Sequence, residues 1–192
     1  MNSSSEKFEN YLKIIIDTNS LEYHIPSIIE CFTKLKLNKN QYLVEKGQAC
    51  TYFCYLVEGV LQHSIDIEGE DKTTYLALEN TSTSALKSFK QNVPSRKNIK
   101  ALCDCNLMVI DLKKFNYLMR NNQGFQKFYH NLIENQIFLI DDYRINLLTL
   151  SPEERYNELI KNNPNLLQQI PLHYLASFLG ISSRNMSRIR KI

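Results

Sequence analysis

The sequence of 192 residues has no Trp, only five Gly and five Pro, and no long apolar run. Each shortage excludes something. No stretch approaches the ~18 consecutive apolar residues that mark a membrane-spanning helix, and the run Ile14 to Ile16 is closed at once by Lys13 and Asp17. Glu6, Lys7, Glu9 and Lys13 break up the N-terminal segment, which therefore lacks the apolar core of a secretory signal, and export is not expected. Scarce Gly and Pro exclude collagen-like and linker-like chains. The five Cys (Cys31, Cys50, Cys54, Cys103, Cys105) include no C-x2-C pair of the zinc-site kind. Their odd number fits reduced thiols in a cytoplasm. Cys103 and Cys105 would share one face of a strand. A redox or metal role there stands against the commoner use of free Cys as a small buried hydrophobe.

What remains is a globular composition, 43% apolar and 22% charged, with room for one large domain or two small ones. The net charge of +3 is not spread evenly. From Ser151 to Ile192 the basic residues Arg155, Lys161, Arg184, Arg188, Arg190 and Lys191 face the acids Glu153, Glu154 and Glu158, which leaves the first 150 residues neutral. From Pro171 onward there is no acid at all. A polyanion could use that end of the chain.

Between about Phe32 and Asp111 the pattern predicts short strands: Leu35–Leu37, Gln41–Val44, Tyr52–Val57, Val60–Ile67, Thr73–Leu78, Ile99–Leu102 and Leu107–Ile110. Lys46-Gly47, Glu58-Gly59 and Glu68-Gly69-Glu70 punctuate them as turns. Several short strands joined by tight turns predict a sandwich or barrel rather than alternating strands and helices. A helical piece is expected at Ser82–Phe89. Leu112 to Leu148 reads as a long helix, or two helices broken near Asn121-Asn122-Gln123-Gly124, with Gly124 favouring an end. Phe125, Tyr129, Leu132, Gln136, Leu139 and Tyr143 form a heptad-like seam expected to dimerise. A second apolar line, Ile133, Ile137, Ile140 and Leu147, lies beside it. So broad an apolar surface needs either two burial partners, the strand domain and a second copy, or one wide contact within a monomer.

Ser151-Pro152-Glu153-Glu154 carries the signals of a helix start: Ser as N-cap, Pro in the first turn, and acids against the dipole. That helix is expected to stop at Asn163-Pro164. Leu172 to Ile189 then has the spacing of a helix-turn-helix. Ala176 is small enough for close helix approach, Gly180 turns the chain, and Leu175, Leu179, Ile181, Met186 and Ile189 supply a shared core. Ser182 caps the second helix, whose outer positions are Ser183, Arg184, Ser187, Arg188 and Lys191, with Asn185 at the flank and Arg190 following. These groups donate to guanine edges and phosphates, and no acid repels DNA. An ordinary helical hairpin with a solvated Arg face is the alternative.

In this order, strands, long helix and helix-turn-helix resemble the Crp/Fnr family of bacterial transcription factors, named for the cyclic-AMP receptor protein and the fumarate-nitrate regulator. The marks are Gly47 after Leu43-Val44-Glu45-Lys46, Tyr55-Leu56-Val57-Glu58-Gly59-Val60, Ser151-Pro152-Glu153-Glu154-Arg155-Tyr156, and Leu175-Ala176 to Gly180-Ile181-Ser182 with Ser187-Arg188-Ile189. The ending through Arg190-Lys191 most resembles the Bacteroidetes branch. The resemblance implies an α+β chain: a cyclic-nucleotide-binding-like β-roll (jelly roll) over 1–111, a connecting and dimerisation helix over 112–149, and a helix-turn-helix domain over 150–192 without the wing hairpin that often follows. It also implies a cytoplasmic homodimer on double-stranded DNA, with RNA polymerase as a further candidate partner. Base-contacting positions of the family fall on Ser183, Arg184 and Arg188. Arg188 matches the family's Arg, whereas Ser183 stands where many members have Arg and Arg184 where many have Glu.

The resemblance also implies a cyclic-AMP cassette, of which little is present. Ser95 falls where the phosphate-binding Arg belongs and Ala85 where the ribose-binding Glu belongs, while Arg96, one residue out, would point to the opposite face. Thr83, Ser84, Ser95 and Arg96 are the remnant, and cyclic-nucleotide binding is not expected. Neither cofactor nor metal is expected: there is no N-terminal Cys cluster for iron–sulfur, and His24, His63, His130 and His173 are scattered. Two other functions compete with a regulator that is not an enzyme. One is a small-molecule or protein-contact sensor with a vestigial DNA-binding end. The other is a cupin-like enzyme, which would need several His on the strands, where His63 stands alone.

Overall fold

The computed structural model describes residues 3–162, 164, 167 and 170–189. Arg190 and Lys191, both expected at DNA, lie outside the described residues.

Eight strands form the body: β1 (Thr33–Leu37), β2 (Tyr42–Val44), β3 (Tyr52–Glu58), β4 (Leu61–Ile67), β5 (Glu70–Ala77), β6 (Thr81–Thr83), β7 (Asn98–Ala101) and β8 (Cys105–Asp111). They pair antiparallel in two four-stranded sheets, ordered β1-β8-β3-β6 and β2-β7-β4-β5. The expected strands are all there. The sequence pattern passed over β6, whose three polar residues carry no alternation, and the helix expected from Ser82 begins only at Leu86. Between β3 and β4 the chain turns at Gly59, φ +103°, where a Cβ would lie 2.8 Å from the Asp104 carbonyl oxygen. Only Gly satisfies both the dihedral and the close approach of β8.

Helices cover one sheet. In α1 (Ser3–Ile16), Phe8, Tyr11, Leu12 and Ile16 recur at helical spacing and are buried. Phe8 and Tyr11 stack on Tyr55 of β3 with centroids 4.8 and 4.7 Å apart. A 3-10 turn (Asn19–His24) and α2 (Ile25–Cys31) lead into β1. Two residues along β3, Phe53 sits on the same face and meets Phe89 of α3 (Leu86–Gln91), Phe115 of α4 (Leu112–Asn121) and Tyr129 of α5 (Gln123–Thr149). Each such aromatic pair adds about 0.5–1.5 kcal/mol beyond its area burial.

The break between α4 and α5 falls at Asn122, not at Gly124. Asn122 Oδ1 accepts from the Phe125 N–H (2.7 Å), capping α5, while Nδ2 donates to Ser27 Oγ at 2.9 Å. Gly124 lies inside the first turn of α5, and a Cβ there would stand 2.8 Å from His24 Cβ. Its smallness lets α5 lie against the 3-10 turn; it ends no helix.

Past α5 the chain folds into three described helices: α6 (Pro152–Asn162), α7 (Leu172–Leu179) and α8 (Ser183–Ile189). Ser151 and Glu154 cap α6 reciprocally: the Ser151 N–H donates to Glu154 Oε2 (2.7 Å) and the Glu154 N–H to Ser151 Oγ (3.3 Å). Gly180, φ +70°, ends α7 in the left-handed conformation and turns the chain toward α8. Tyr156, Ile170, Leu175, Ala176, Leu179 and Met186 form a second core that also takes in Val60, Leu76 and Leu102 of the strand body. Large side chains such as Leu175, Leu179 and Met186 each contribute about 1.5–3 kcal/mol on burial.

Candidate functional site

Helix α8 is positioned from its buried side. Met186 is fully buried in the second core, and Ile189 packs partly against it, so the opposite side must face outward. Ser182, Ser183, Arg184, Asn185, Ser187 and Arg188 are all exposed. Arg184 and Arg188 stand one helical turn apart on one face, and neither has an ion-pair partner among the described residues. Two hydroxyls are already engaged: Ser182 Oγ caps α8 by accepting from the Asn185 N–H (3.2 Å), and Ser187 Oγ donates to the Ser183 carbonyl (2.9 Å). Among the described residues the free donors of this surface are therefore the two guanidinium groups, the Asn185 amide and the Ser182 and Ser183 hydroxyls.

The helix before it is tied down three ways. The Thr73 N–H of β5 donates to Ser177 Oγ at 2.9 Å. Tyr143 of α5 stacks on Phe178 (5.6 Å) and donates to its carbonyl at 3.1 Å. Arg155 of α6 donates to the Leu179 carbonyl (3.2 Å) and to the Leu147 carbonyl (3.5 Å). Arg155, counted by sequence among the charges open to a polyanion, is thus spent on the ends of α7 and α5. Only a position facing its own chain distinguishes it from Arg184 or Arg188, and composition carries no such signal.

The heptad-like seam of α5 turns mostly inward. Phe125 is fully buried, Tyr129 packs on Phe53 and Phe115, Leu132 leans on the main core, Gln136 is half-buried and Tyr143 holds Phe178. Leu139 alone of the six is exposed, at 61%. The neighbouring line is the open one: Ile137, Ile140 and Leu147 are exposed, together with Phe138, Ile145 and Leu148, the last at 89%. The cause is length. The first half of α5 lies along the strand body, the second half runs past it, and an apolar seam read as one stripe spans both.

In the strand body, the four cassette-remnant residues divide. Ser95 is buried and bonded to its own turn: Oγ donates to the Lys97 carbonyl (2.6 Å) and accepts from the Lys97 N–H (3.2 Å). Ser84 Oγ donates to the Tyr52 carbonyl (2.9 Å), and Thr83 Oγ1 lies 2.8 Å from His63 Nε2. Arg96 is exposed, and it lies in the bend before β7 rather than in a strand, so the alternation expected to turn it away from Ser95 does not apply. The next residue, Lys97, is half-buried, and burial pushes its ammonium pKa down. Burial, reinforced by the Lys97 charge, holds the His63 imidazole well below its ordinary pKa of 6.5. The Cys105 thiol is pushed up to about 12 by burial, which suits a packed thiol rather than a reactive one. No group of three or more His, Cys, Asp or Glu side chains converges among the described residues.

Residues 34–122 match the family model of the cyclic nucleotide-binding domain. No match was found among curated proteins. Among solved structures, the chain superposes on FixK2 from Bradyrhizobium japonicum with a TM-score of 0.71 at 12% identity, covering 83% of either chain. The Thermus thermophilus catabolite activator protein gives 0.58 at 17% identity, covering 92% of this chain and 85% of that one. The c-di-GMP-responsive global regulator CLP from Xanthomonas campestris gives 0.64 at 12% identity, covering 88% of this chain and 89% of that one. Residues 34–122 therefore resemble a cyclic nucleotide-binding domain, and the chain shares its fold with FixK2, the catabolite activator protein and CLP.

Proposed function

We propose that the protein is a cytoplasmic transcription regulator of the Crp/Fnr family, of the Bacteroidetes type, and not an enzyme. It binds double-stranded DNA as a homodimer through the helix-turn-helix formed by α7 and α8. The observation that carries this reading is α8: Arg184 and Arg188 free on one face, Asn185 and Ser183 beside them, and Met186 fixing the helix from behind. Arg reads guanine bidentately and Asn reads adenine, so this face has the chemistry of base readout and not only of charge. Arg190 and Lys191 extend it as phosphate contacts, and RNA polymerase is a further partner.

The homodimer is supported by the open half of α5. Ile137, Phe138, Ile140, Ile145, Leu147 and Leu148 expose an apolar face longer than a solvated helix tolerates, and a second copy of α5 would bury it. Two α8 helices related by that axis would read half-sites about 34 Å apart, one turn of duplex.

The β-roll is not built for cyclic AMP. Ala85 is buried where a ribose hydroxyl would need a carboxylate, the Ser95 hydroxyl is consumed by Lys97, and Arg96 faces solvent. A mobility shift of the DNA upstream of its own gene, run over a series of salt concentrations, tests the reading. Sequence-selective binding that weakens steeply with salt is expected, because phosphate contacts release counterions. No shift at low salt would favour a sensor whose DNA-binding end is vestigial.

A further inference from the structure

A helix ends with four backbone carbonyls that its own hydrogen bonds cannot reach. In α7 these belong to Ala176, Ser177, Phe178 and Leu179, and each has a partner. Two are met by the turn itself: the Ile181 N–H donates to the Ala176 carbonyl at 3.0 Å and the Gly180 N–H to the Ser177 carbonyl at 3.2 Å. The other two are met from outside. Arg155 of α6 donates to the Leu179 carbonyl, and Tyr143 of α5 donates its hydroxyl to the Phe178 carbonyl at 3.1 Å while its ring stacks on the Phe178 ring at 5.6 Å. Burial raises the Tyr143 phenol pKa, so the hydroxyl stays a donor near neutral pH.

Tyr143 thereby joins two elements with different tasks. On the open side of α5, Ile137, Ile140 and Leu147 are exposed, whereas Tyr143 turns toward the helix-turn-helix. α7 and α8 share the core of Leu175, Leu179 and Met186, so they move as one unit. Two points fix the direction of that unit: Ser177, in mid-helix, accepts from the Thr73 N–H of β5 at 2.9 Å, and the last turn is held by Tyr143. The link of Arg155 to α5, at the Leu147 carbonyl, is the longer one, 3.5 Å. Without Tyr143 the unit can pivot about Ser177. A tilt of about 15° moves the far end of a helix about 10 Å long, the length of α8, by about 3 Å, which is nearly one base-pair step.

We infer that Tyr143 is a positioning residue for DNA readout: by closing the last turn of α7 it sets the angle of α8 on α5, and hence the half-site separation that a pair of chains accepts. The role rests on the regulator reading above.

Tyr143→Phe removes the hydroxyl and keeps the stack. The test takes the full-length chain and duplexes carrying the operator enriched from a random pool, with the half-site separation at the selected value, one base pair shorter and one base pair longer. The wild type should prefer the selected separation. In Tyr143→Phe that preference should shrink by about three- to tenfold, the worth of one hydrogen bond, while binding to a duplex with a single half-site changes by less than about twofold. A preference as sharp as that of the wild type overturns the role. So does an equal loss on every duplex, single half-site included, which is what a merely structural tyrosine gives. The bond itself is read without DNA: the 15N resonance of the Leu179 amide, whose peptide group contains the Phe178 carbonyl, should shift in Tyr143→Phe, and an unmoved Leu179 overturns the proposal. A wild-type chain that enriches no duplex sinks the regulator reading and the role with it, whereas a wild type that selects an operator beside a Tyr143→Phe chain of unchanged spacing preference sinks the role alone.

Discussion

Arg188 and Arg155 carry the same charge and do different work. Arg188 is exposed on α8, while Arg155 reaches two carbonyl oxygens of its own chain. Arg188→Ala should weaken binding to a specific operator by about 1–3 kcal/mol in a mobility-shift titration if Arg188 reads a base; an equal loss on every duplex would make it a phosphate contact. His63 makes a prediction about acid. Above its ordinary value of 6.5 the imidazole is neutral in both the folded and the unfolded chain. Below that the unfolded chain takes up a proton that the roll, which buries the ring against Thr83 and Tyr75 and adds the repulsion of the Lys97 charge, refuses. Stability should therefore fall by up to about 1.4 kcal/mol per pH unit as pH drops below about 6.5. Denaturant unfolding of His63→Gln should lack that part of the slope; an identical slope would place the acid sensitivity elsewhere.

At the scale of elements, α5 shows how periodicity and context divide the information. The spacing of Phe125, Tyr129, Leu132 and Tyr143 announced a long apolar helix, and α5 runs from Gln123 to Thr149. Which stripe faces the same chain and which faces outward depends on where the strand body ends, and no helical period encodes that. The open stripe makes the dimer testable. Ile137→Glu combined with Ile140→Glu should weaken self-association by about a hundredfold or more in sedimentation, since each Glu would have to be desolvated in the contact, with the circular dichroism of the roll unchanged. A double variant that sediments like the wild type would remove α5 from the interface. The strands were more legible than the helices at the site, because β3, β4 and β8 are bounded by turn residues and rich in β-branched and aromatic side chains. β6 was not, since three polar residues become a strand only through pairing with Cys54, Tyr55 and Leu56.

Across the whole molecule, the strand body and the C-terminal helices share a core through Val60, Leu76 and Leu102, and Arg155 links α5 to α7 at its edge. Arg155→Met should cost about 1–3 kcal/mol of stability in denaturant unfolding, the worth of hydrogen bonds from a charged donor, and leave the salt dependence of DNA binding unchanged. A shallower salt slope without loss of stability would reassign Arg155 to phosphate. The excess of positive charge toward the C-terminus was legible from the sequence; that one of its Arg residues is an internal tie required the fold. The central claim is that two copies of this chain read DNA through α8, and selection of bound duplexes from a random pool tests it most directly. Enrichment of a near-palindrome with half-sites about one duplex turn apart is expected, while a pool that shows no enrichment, or a single unrepeated half-site, would contradict it.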